Sequence, residues 1–494
     1  MSQTAINVNP SQSGRVDLDN VQGDVIYGLA KDHEHFVLFT IVDPSGFKKC
    51  LPLLEITTSK QAKETWETIA RLKAESPGQR HNLKLLNISF SQKGLHALGL
   101  MDDLGDKAFS RGQFIDASAL GDRMDDTNQP KWKPEYFERI DGVLLGAGNT
   151  FDLANGAVND ALEILKGTVK EIYRLRGKTR PGDQRKHEHF GWRDGISNPV
   201  IQNLPYPPTH IYEDPVRAGV ILVGHEGDDH PNGKPVLRPE WTFEGSFMAF
   251  RQLKQLVPEF HHFLKENPDR PTEIPRDEGA SLQGARFFGR WKNGMTFIAA
   301  GRRNLIVAIG VPIQLSPTSP IPEHGDPDNL NKFEYPQEKG DAGQAFCPYS
   351  AHIRKTRPRN DISAPAQEAT RINRKGIAYG EEVQPDEEKE HKTRLDRGLA
   401  FVCYQSNISE NGFRFIQIHW ANNPSFSDKK DIKNIGYDPI IGQTNKGERT
   451  TMGTQAGHSI KLPEEFVVTQ GGEYFFTPSI KALNSVLLGK PYPK

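Results

Sequence analysis

Three segments of this chain hold side chains suited to acid–base or ligand chemistry. In Cys347-Pro-Tyr-Ser-Ala-His352-Ile-Arg354-Lys355-Thr-Arg357-Pro358-Arg359, Pro348 suits the first turn of a short helix and Pro358 its end, so His352 projects from a rigid element. A neutral imidazole is a good axial ligand for iron, and the neighbouring Arg and Lys groups suit anionic groups. Seen alone, a single His is more often a structural hydrogen-bonding residue or lies on the surface. In Phe190-Gly191-Trp192-Arg193-Asp194-Gly195-Ile-Ser-Asn-Pro199, glycines flank an acid that suits proton transfer, although Asp-Gly before Ser-Asn-Pro is also ordinary Asx-turn chemistry. In Arg371-Ile-Asn-Arg374-Lys375-Gly376, Arg374 offers a guanidinium that stays charged at any working pH. Two His-Glu-His triplets, His33 to His35 and His187 to His189, would put both imidazoles of each on one face of a strand. Neither has a third ligand at diagnostic spacing, so they read as polar surface positions, with a non-haem metal site as the alternative.

These residues need a scaffold. Phe36 to Val42 and Leu85 to Phe90 are apolar, β-branched runs of strand length, with a polar helix over Lys60 to Ala74 between them and a Ser91 N-cap after them. Ala218 to Val223 reads as a further buried strand. The pattern then begins afresh, with Ser246 to Arg251 as strand, Leu253 to Glu266 as a helix bent at Pro258, and Asn304 to Val311 as strand. Leu399 to Gln405 and Phe413 to Trp420 read as the closing strands. Strands interleaved with helices in each half predict an α+β chain of two related units, each an antiparallel sheet with helices on one face. The predicted division is a flexible tail at 1–15, a unit at 16–240 and a unit at 241–494. Leu315 to Gly343 holds five prolines and few apolar residues, which predicts a lid or surface excursion, and the charged stretch Glu381 to Arg397 reads as a solvated loop.

Composition excludes several classes. Among 494 residues, 62 Lys and Arg nearly balance 63 Asp and Glu, so no basic field would gather nucleic acid. The apolar runs are strand-sized, too short to cross a bilayer. The opening residues show neither a charged n-region nor an apolar h-region, so no signal peptide is expected in the chain as given. Three cysteines without CxxC or CxxCH spacing argue against a disulfide framework, a zinc knuckle and covalently attached haem.

Taken together, the segments resemble the dye-decolorizing peroxidase family, most closely its fungal members. Further stretches carry the resemblance along the chain: Asn20 to Asp24, Gly245 to Arg251, Gly289 to Gly294, Leu399 to Ser406, Trp420 to Pro424 and Asp438 to Gln443. The family's Gly-x-x-Asp-Gly pattern falls on Gly191 to Gly195, which makes Asp194 the distal acid–base group. His352 matches the proximal haem ligand and Arg374 the distal arginine, with Lys375 where the family has a second Arg and Ala378 where Pro is common. The resemblance further implies Leu399 and Phe401 in the distal pocket, Asp438 as hydrogen-bond acceptor of the proximal imidazole, and Arg354 near the cofactor. It implies one non-covalent haem b per chain in a cleft of the second of two ferredoxin-like halves. Hydrogen peroxide and aromatic small molecules are the expected substrates, and Tyr379 and Trp420 are candidates for surface electron transfer. Relatives are often secreted. A haem- or iron-binding protein with little turnover is the alternative from another class.

Overall fold

The computed structural model describes residues 14–76, 82–206, 213–269, 276–292, 331, 333–335, 347–427, 432, 435–444, 447–453 and 459–493. In the first half, strand β1 (His33–Ile41) is followed by helix α1 (Ser59–Glu75), strands β2 (Lys84–Phe90) and β3 (Gly142–Gly148), helix α2 (Phe151–Ile164) and strand β4 (Val169–Lys178). Helix α1 starts where Thr58 and Gln61 form a reciprocal capping box, and α2 where the Thr150 side chain accepts from Leu153 N–H. These caps satisfy amides that would otherwise lack intrahelical partners. The four strands pair antiparallel in the order β2-β3-β1-β4.

The second half repeats the plan with strand β5 (Ser246–Gln255), helices α3 (Val257–Glu266), α4 (Arg276–Phe288) and α5 (His352–Thr356), strands β6 (Ile377–Gly380) and β7 (Arg397–Gln405), and strand β8 (Val467–Thr477). Its order, β8-β5-β7-β6, is the same fourth-first-third-second arrangement. The sheets join at both edges, where Gly177 of β4 faces Tyr379 of β6 and Phe476 of β8 faces Phe90 of β2. An α+β barrel with antiparallel strands results, in which each sheet covers the edge strands of the other.

Side chains alternate across each strand. Phe36, Leu38, Val143, Leu145, Phe250, Val402, Tyr404 and Phe475 fill the barrel, while Val37, Phe39, Ile88, Leu144, Phe247, Cys403 and Tyr474 pack on its outer face. Among the described residues, no helix is long and apolar enough to cross a membrane.

Several local expectations change. Ala218–Val220 is a 3-10 turn, not a strand; the run is apolar because Ile221, Leu222 and Val223 are buried, a pattern that does not distinguish strand from packed turn. Phe413 to Trp420 is helical, as an α-turn at Phe413–Phe415 and a π-helix at Ile416–Ala421. Its buried positions, Phe413, Ile416, Gln417 and Trp420, follow i, i+3, i+4, i+7 with a polar Gln inside the stripe, so apolar alternation misreads it. Leu253 to Gln255 extend β5, and Pro258 lies in the first turn of α3, where a missing N–H costs nothing. Pro348 lies outside α5, which starts at His352. The charged stretch after Glu381 includes a helix, Pro385–Glu390, anchored by buried Glu387 against buried Arg397. The expected strand over Asn304 to Val311, and most of the excursion at 315–343, lie outside the described residues.

Strands β5 and β7 come so close at Gly398 that a Cβ there would lie 1.8 Å from the Leu253 carbonyl oxygen. Gly398→Ala is therefore expected to lower stability by about 1–3 kcal/mol through overpacking, read as a lower urea midpoint.

Candidate active site

Outward-facing residues of the second sheet form the floor of a cavity of about 220 Å³: Arg251, Leu253 and Gln255 from β5, Leu399 and Phe401 from β7, and Val467 and Thr469 from β8. Phe288 ends α4 in its wall, and Phe413 and Ile416 come from the helical segment that sequence reasoning had made a strand. Into this largely apolar space project His352, Asp194 and Arg374.

His352 is the first residue of α5, and its Nδ1 lies 2.8 Å from Asp438 Oδ2. Asp438 is fully buried, and its other oxygen accepts from the Ile440 and Ile441 N–H groups at 2.8 and 3.0 Å. The carboxylate is thus oriented before it meets the ring. With Nδ1 donating to it, the electron pair on Nε2 is the ring's ligand site.

Asp194 sits in a loop tied down on both sides. Its N–H donates to the Lys186 carbonyl, and Arg193 N–H donates to the Lys292 carbonyl. Asp194 Oδ1 accepts from Gly195 N–H at 2.6 Å and from Arg374 Nη1 at 2.7 Å, while Arg374 Nη2 donates to the Ser197 carbonyl at 3.2 Å. Among the described residues Oδ2 accepts nothing. One oxygen anchors the group and the other is left for a proton. Burial pushes the Asp194 carboxyl up, but the Arg374 guanidinium and the Gly195 N–H outweigh it and hold the group below the usual carboxylate value.

Arg354 does not reach the cavity, which corrects the expectation that it meets the cofactor. Its guanidinium is buried against Asp361, at 2.6 and 3.1 Å, and lies over the rings of Tyr335 and Tyr349. Besides Arg374, the cationic lining comes from Arg193, Arg251, Arg290, Arg357 and Arg371. Among the described residues Arg357, Arg359 and Arg371 face Glu213, and Asp214 also acts on Arg357 and Arg359. Burial and then the neighbouring Arg359 lower Arg357 to about 10, and burial and then Arg374 lower Arg371 to about 9.

Tyr379 and Trp420 are only 3% and 5% exposed, so the surface role expected of them is corrected to packed positions. Tyr379 points into the barrel, its hydroxyl 3.1 Å from Asp396, and Trp420 stacks on Phe426. The His-Glu-His triplets are not surface features either. His35 and Glu34 are fully buried, and burial, then Arg176 and Arg174, lower His35 to about 4. His189 donates from Nε2 to the Tyr379 carbonyl at 2.9 Å. No cluster that could hold a metal ion occurs among the described residues. Glu188 is the residue sequence reasoning missed: it lines the cavity and accepts from Phe190 and Trp192 N–H at 2.8 and 2.7 Å, bracing the turn just before Asp194. Burial raises Glu188 to about 7 against those hydrogen bonds.

Residues 20–181 match the family model described as the DyP dimeric alpha+beta barrel domain. The chain is 37% identical to a dye-decolorizing peroxidase of Mycena epipterygia over 95% of this chain and 87% of that protein. It is 38% identical to one of Auricularia auricula-judae over 96% and 87%. Among solved structures, an ancestral D-type dye-decolorizing peroxidase superposes with a TM-score of 0.83 at 41% identity, covering 96% of this chain and 100% of that one. A variant of the dye-decolorizing peroxidase of Pleurotus ostreatus gives 0.84 at 36% identity, covering 96% and 99%.

Asp438→Ala removes the partner of His352 and strands two amides beneath it. It is expected to cost about 2–6 kcal/mol in urea unfolding, because each of the two unsatisfied buried donors costs about 1–3 kcal/mol.

Proposed function

The chain belongs to the dye-decolorizing peroxidase family, and on that premise we propose that Asp194 moves the proton of hydrogen peroxide, Arg374 stabilises the charge that develops as the O–O bond breaks, and His352 ligates the iron of a haem. The observation that carries this reading is the asymmetry of Asp194, with Oδ1 held by Arg374 and Gly195 and Oδ2 free of protein donors among the described residues.

The donor set suits haem b. His352 offers Nε2 with a carboxylate behind the ring, a pairing that raises ligand basicity. Leu253, Phe288, Leu399, Phe401 and Val467 suit an apolar macrocycle, with Leu399 and Phe401 shaping the space beside Asp194 and Arg374. Arg357 and Arg371, which line the cavity, suit its carboxylate side chains in place of Arg354. No described cysteine lines the cavity, which supports one non-covalent haem per chain. Bound there, haem supplies the iron at which peroxide is reduced and through which aromatic donors are oxidised one electron at a time. Residues 16–240 and 241–494 are accordingly read as two ferredoxin-like units, supported by the matching strand orders.

Asp194 Oδ2 takes the proton from one peroxide oxygen and returns it to the other, which leaves as water. Arg374 carries a fixed positive charge, and each of its terminal nitrogens has a second N–H beyond the bond it makes. Preorganised charge of this kind acts strongly where water is excluded. Dyes and phenols are the donors proposed for this chain; a related dye-decolorizing peroxidase has been solved in complex with 2,6-dimethoxyphenol.

The test is Asp194→Asn in the haem-loaded protein. It is expected to keep the wild-type ferric spectrum and lose about 100-fold to 10,000-fold in kcat/KM for peroxide. An unchanged rate would move the proton transfer elsewhere, and a wild-type Soret band indifferent to peroxide would favour haem carriage.

The pH profile tests the pairing. Because the folded-state pKa of Asp194 is depressed, its basic form survives into acid and is lost only as pH falls through that depressed value. The acid limb of kcat/KM is therefore expected below about pH 4, where a histidine base of pKa about 6.5 would be protonated. Arg374→Leu removes the strongest lowering influence, so the carboxyl pKa rises and the limb moves to higher pH.

A further inference from the structure

Asp194 and Arg374 lie 180 positions apart, and Asn198 ties their segments together. Arg374 belongs to a two-residue strand, Asn373–Arg374, paired with the inner part of β7, where Cys403 faces Arg374. Lys375 N–H donates to the Val402 carbonyl at 2.8 Å. Successive residues of a strand turn their amides to opposite sides, so the N–H and C=O of Arg374 point away from β7. At that outer edge Arg374 N–H donates to Asn198 Oδ1 at 3.0 Å, and Asn198 Nδ2 donates to the Arg374 carbonyl at 3.2 Å. A carboxamide presents an acceptor and a donor side by side. The Asn198 side chain thus stands where the backbone of a further strand would pair.

We propose that Asn198 is a positioning residue for the peroxide-cleaving pair: its side-chain amide fixes the register between the Asp194 loop and the Arg374 strand, and so sets the contact between guanidinium and carboxylate. The proposal rests on the roles given above to Asp194 and Arg374. Before Asp194 the loop is held by Lys186, Lys292 and Glu188, none of which touches Arg374. After it, the loop meets Arg374 twice: Ser197 receives the guanidinium through its carbonyl, and Asn198 receives the backbone. A guanidinium on a flexible stem does not define its own origin; pairing at the backbone does. Among the described residues, Arg374 and Glu188 are charged groups acting on Asp194, and Asn198 governs the placing of the first.

The first measurement is amide hydrogen exchange in the unaltered protein. The Arg374 amide is expected to be protected as strongly as that of Lys375, and rapid exchange there would overturn the proposal without any variant. Asn198→Leu, close in volume, and Asn198→Ala remove both hydrogen bonds. In each, Arg374 exchange is expected to rise about 10-fold or more while Lys375 stays protected. The kcat/KM for peroxide should fall about 10-fold to 100-fold, the scale of a misplacement of about 1 Å. The acid limb should shift toward the position seen in Arg374→Leu, with no further shift when the two substitutions are combined. A lower melting temperature with an unmoved limb and unchanged kcat/KM in the variants would show that Asn198 only supports the fold. If Arg374→Leu itself left the limb in place, the underlying acid–base reading would fail instead.

Discussion

A carboxylate facing an apolar cavity needs a countercharge fixed by the fold, and the 2.7 Å contact between Asp194 and Arg374 is where this molecule meets that constraint. Neither residue provides it locally. Arg374 is held on a two-residue strand that exists because β7 lies beside it, and β7 holds its place because Gly398 lets it approach β5. Asp194 is held in a loop with Glu188 beneath its leading turn and Asn198 against the arginine backbone. The pair is the meeting point of two supports that fold from opposite halves of the chain.

The cavity's two carboxylates do different work because their oxygens are spent differently. Asp438 uses one oxygen on two backbone N–H groups and the other on His352, so it is held in place by the backbone and orients the imidazole. Asp194 concentrates its contacts on one oxygen. Exposure follows the same division: the Asp438 side chain is 0% exposed and that of Asp194 is 32%, which leaves Asp194 accessible from the cavity. Two residues of one type are thus given different surroundings by their hydrogen bonds, the one a brace and the other suited to the proton transfer proposed for it.

The sequence made some of this legible. The pairing of His352 with Asp438 and the convergence of Asp194 with Arg374 followed from a resemblance spread along the chain, and the two α+β units from the repeated alternation of strands and helices. What stayed hidden were contacts between distant segments. Arg354 seemed suited to anionic groups because it follows His352, but a residue two places along a helix points another way, and Asp361 claims it. Tyr379 and Trp420 are candidates because the first closely follows Arg374 and both match family positions, and neither ground carries information on burial. Glu34 and Glu188 stood in triplets that looked solvated, yet one lies buried beside Lys31 and the other braces the active loop. Asn198 read as turn chemistry because its partner lies 176 positions away.

The two halves share a strand order, yet the cavity described here lies on the second, and their third strands suggest why. In β3 the outward position 146 is glycine, where a Cβ would lie 2.5 Å from Val158 Cγ1, so α2 packs directly on the sheet. The outer face of the first half is spent on that contact. In β7 the outward positions are Leu399 and Phe401, too large for such an approach, and the covering elements stand off at α5 and the helical turns from Phe413. A gap lined by apolar side chains remains, into which His352 and the Asp194–Arg374 pair are placed from its rim. The duplicated fold gives both halves stability through the shared barrel interior, while side-chain size on one outer face decides whether a half is closed by a helix or kept open for chemistry.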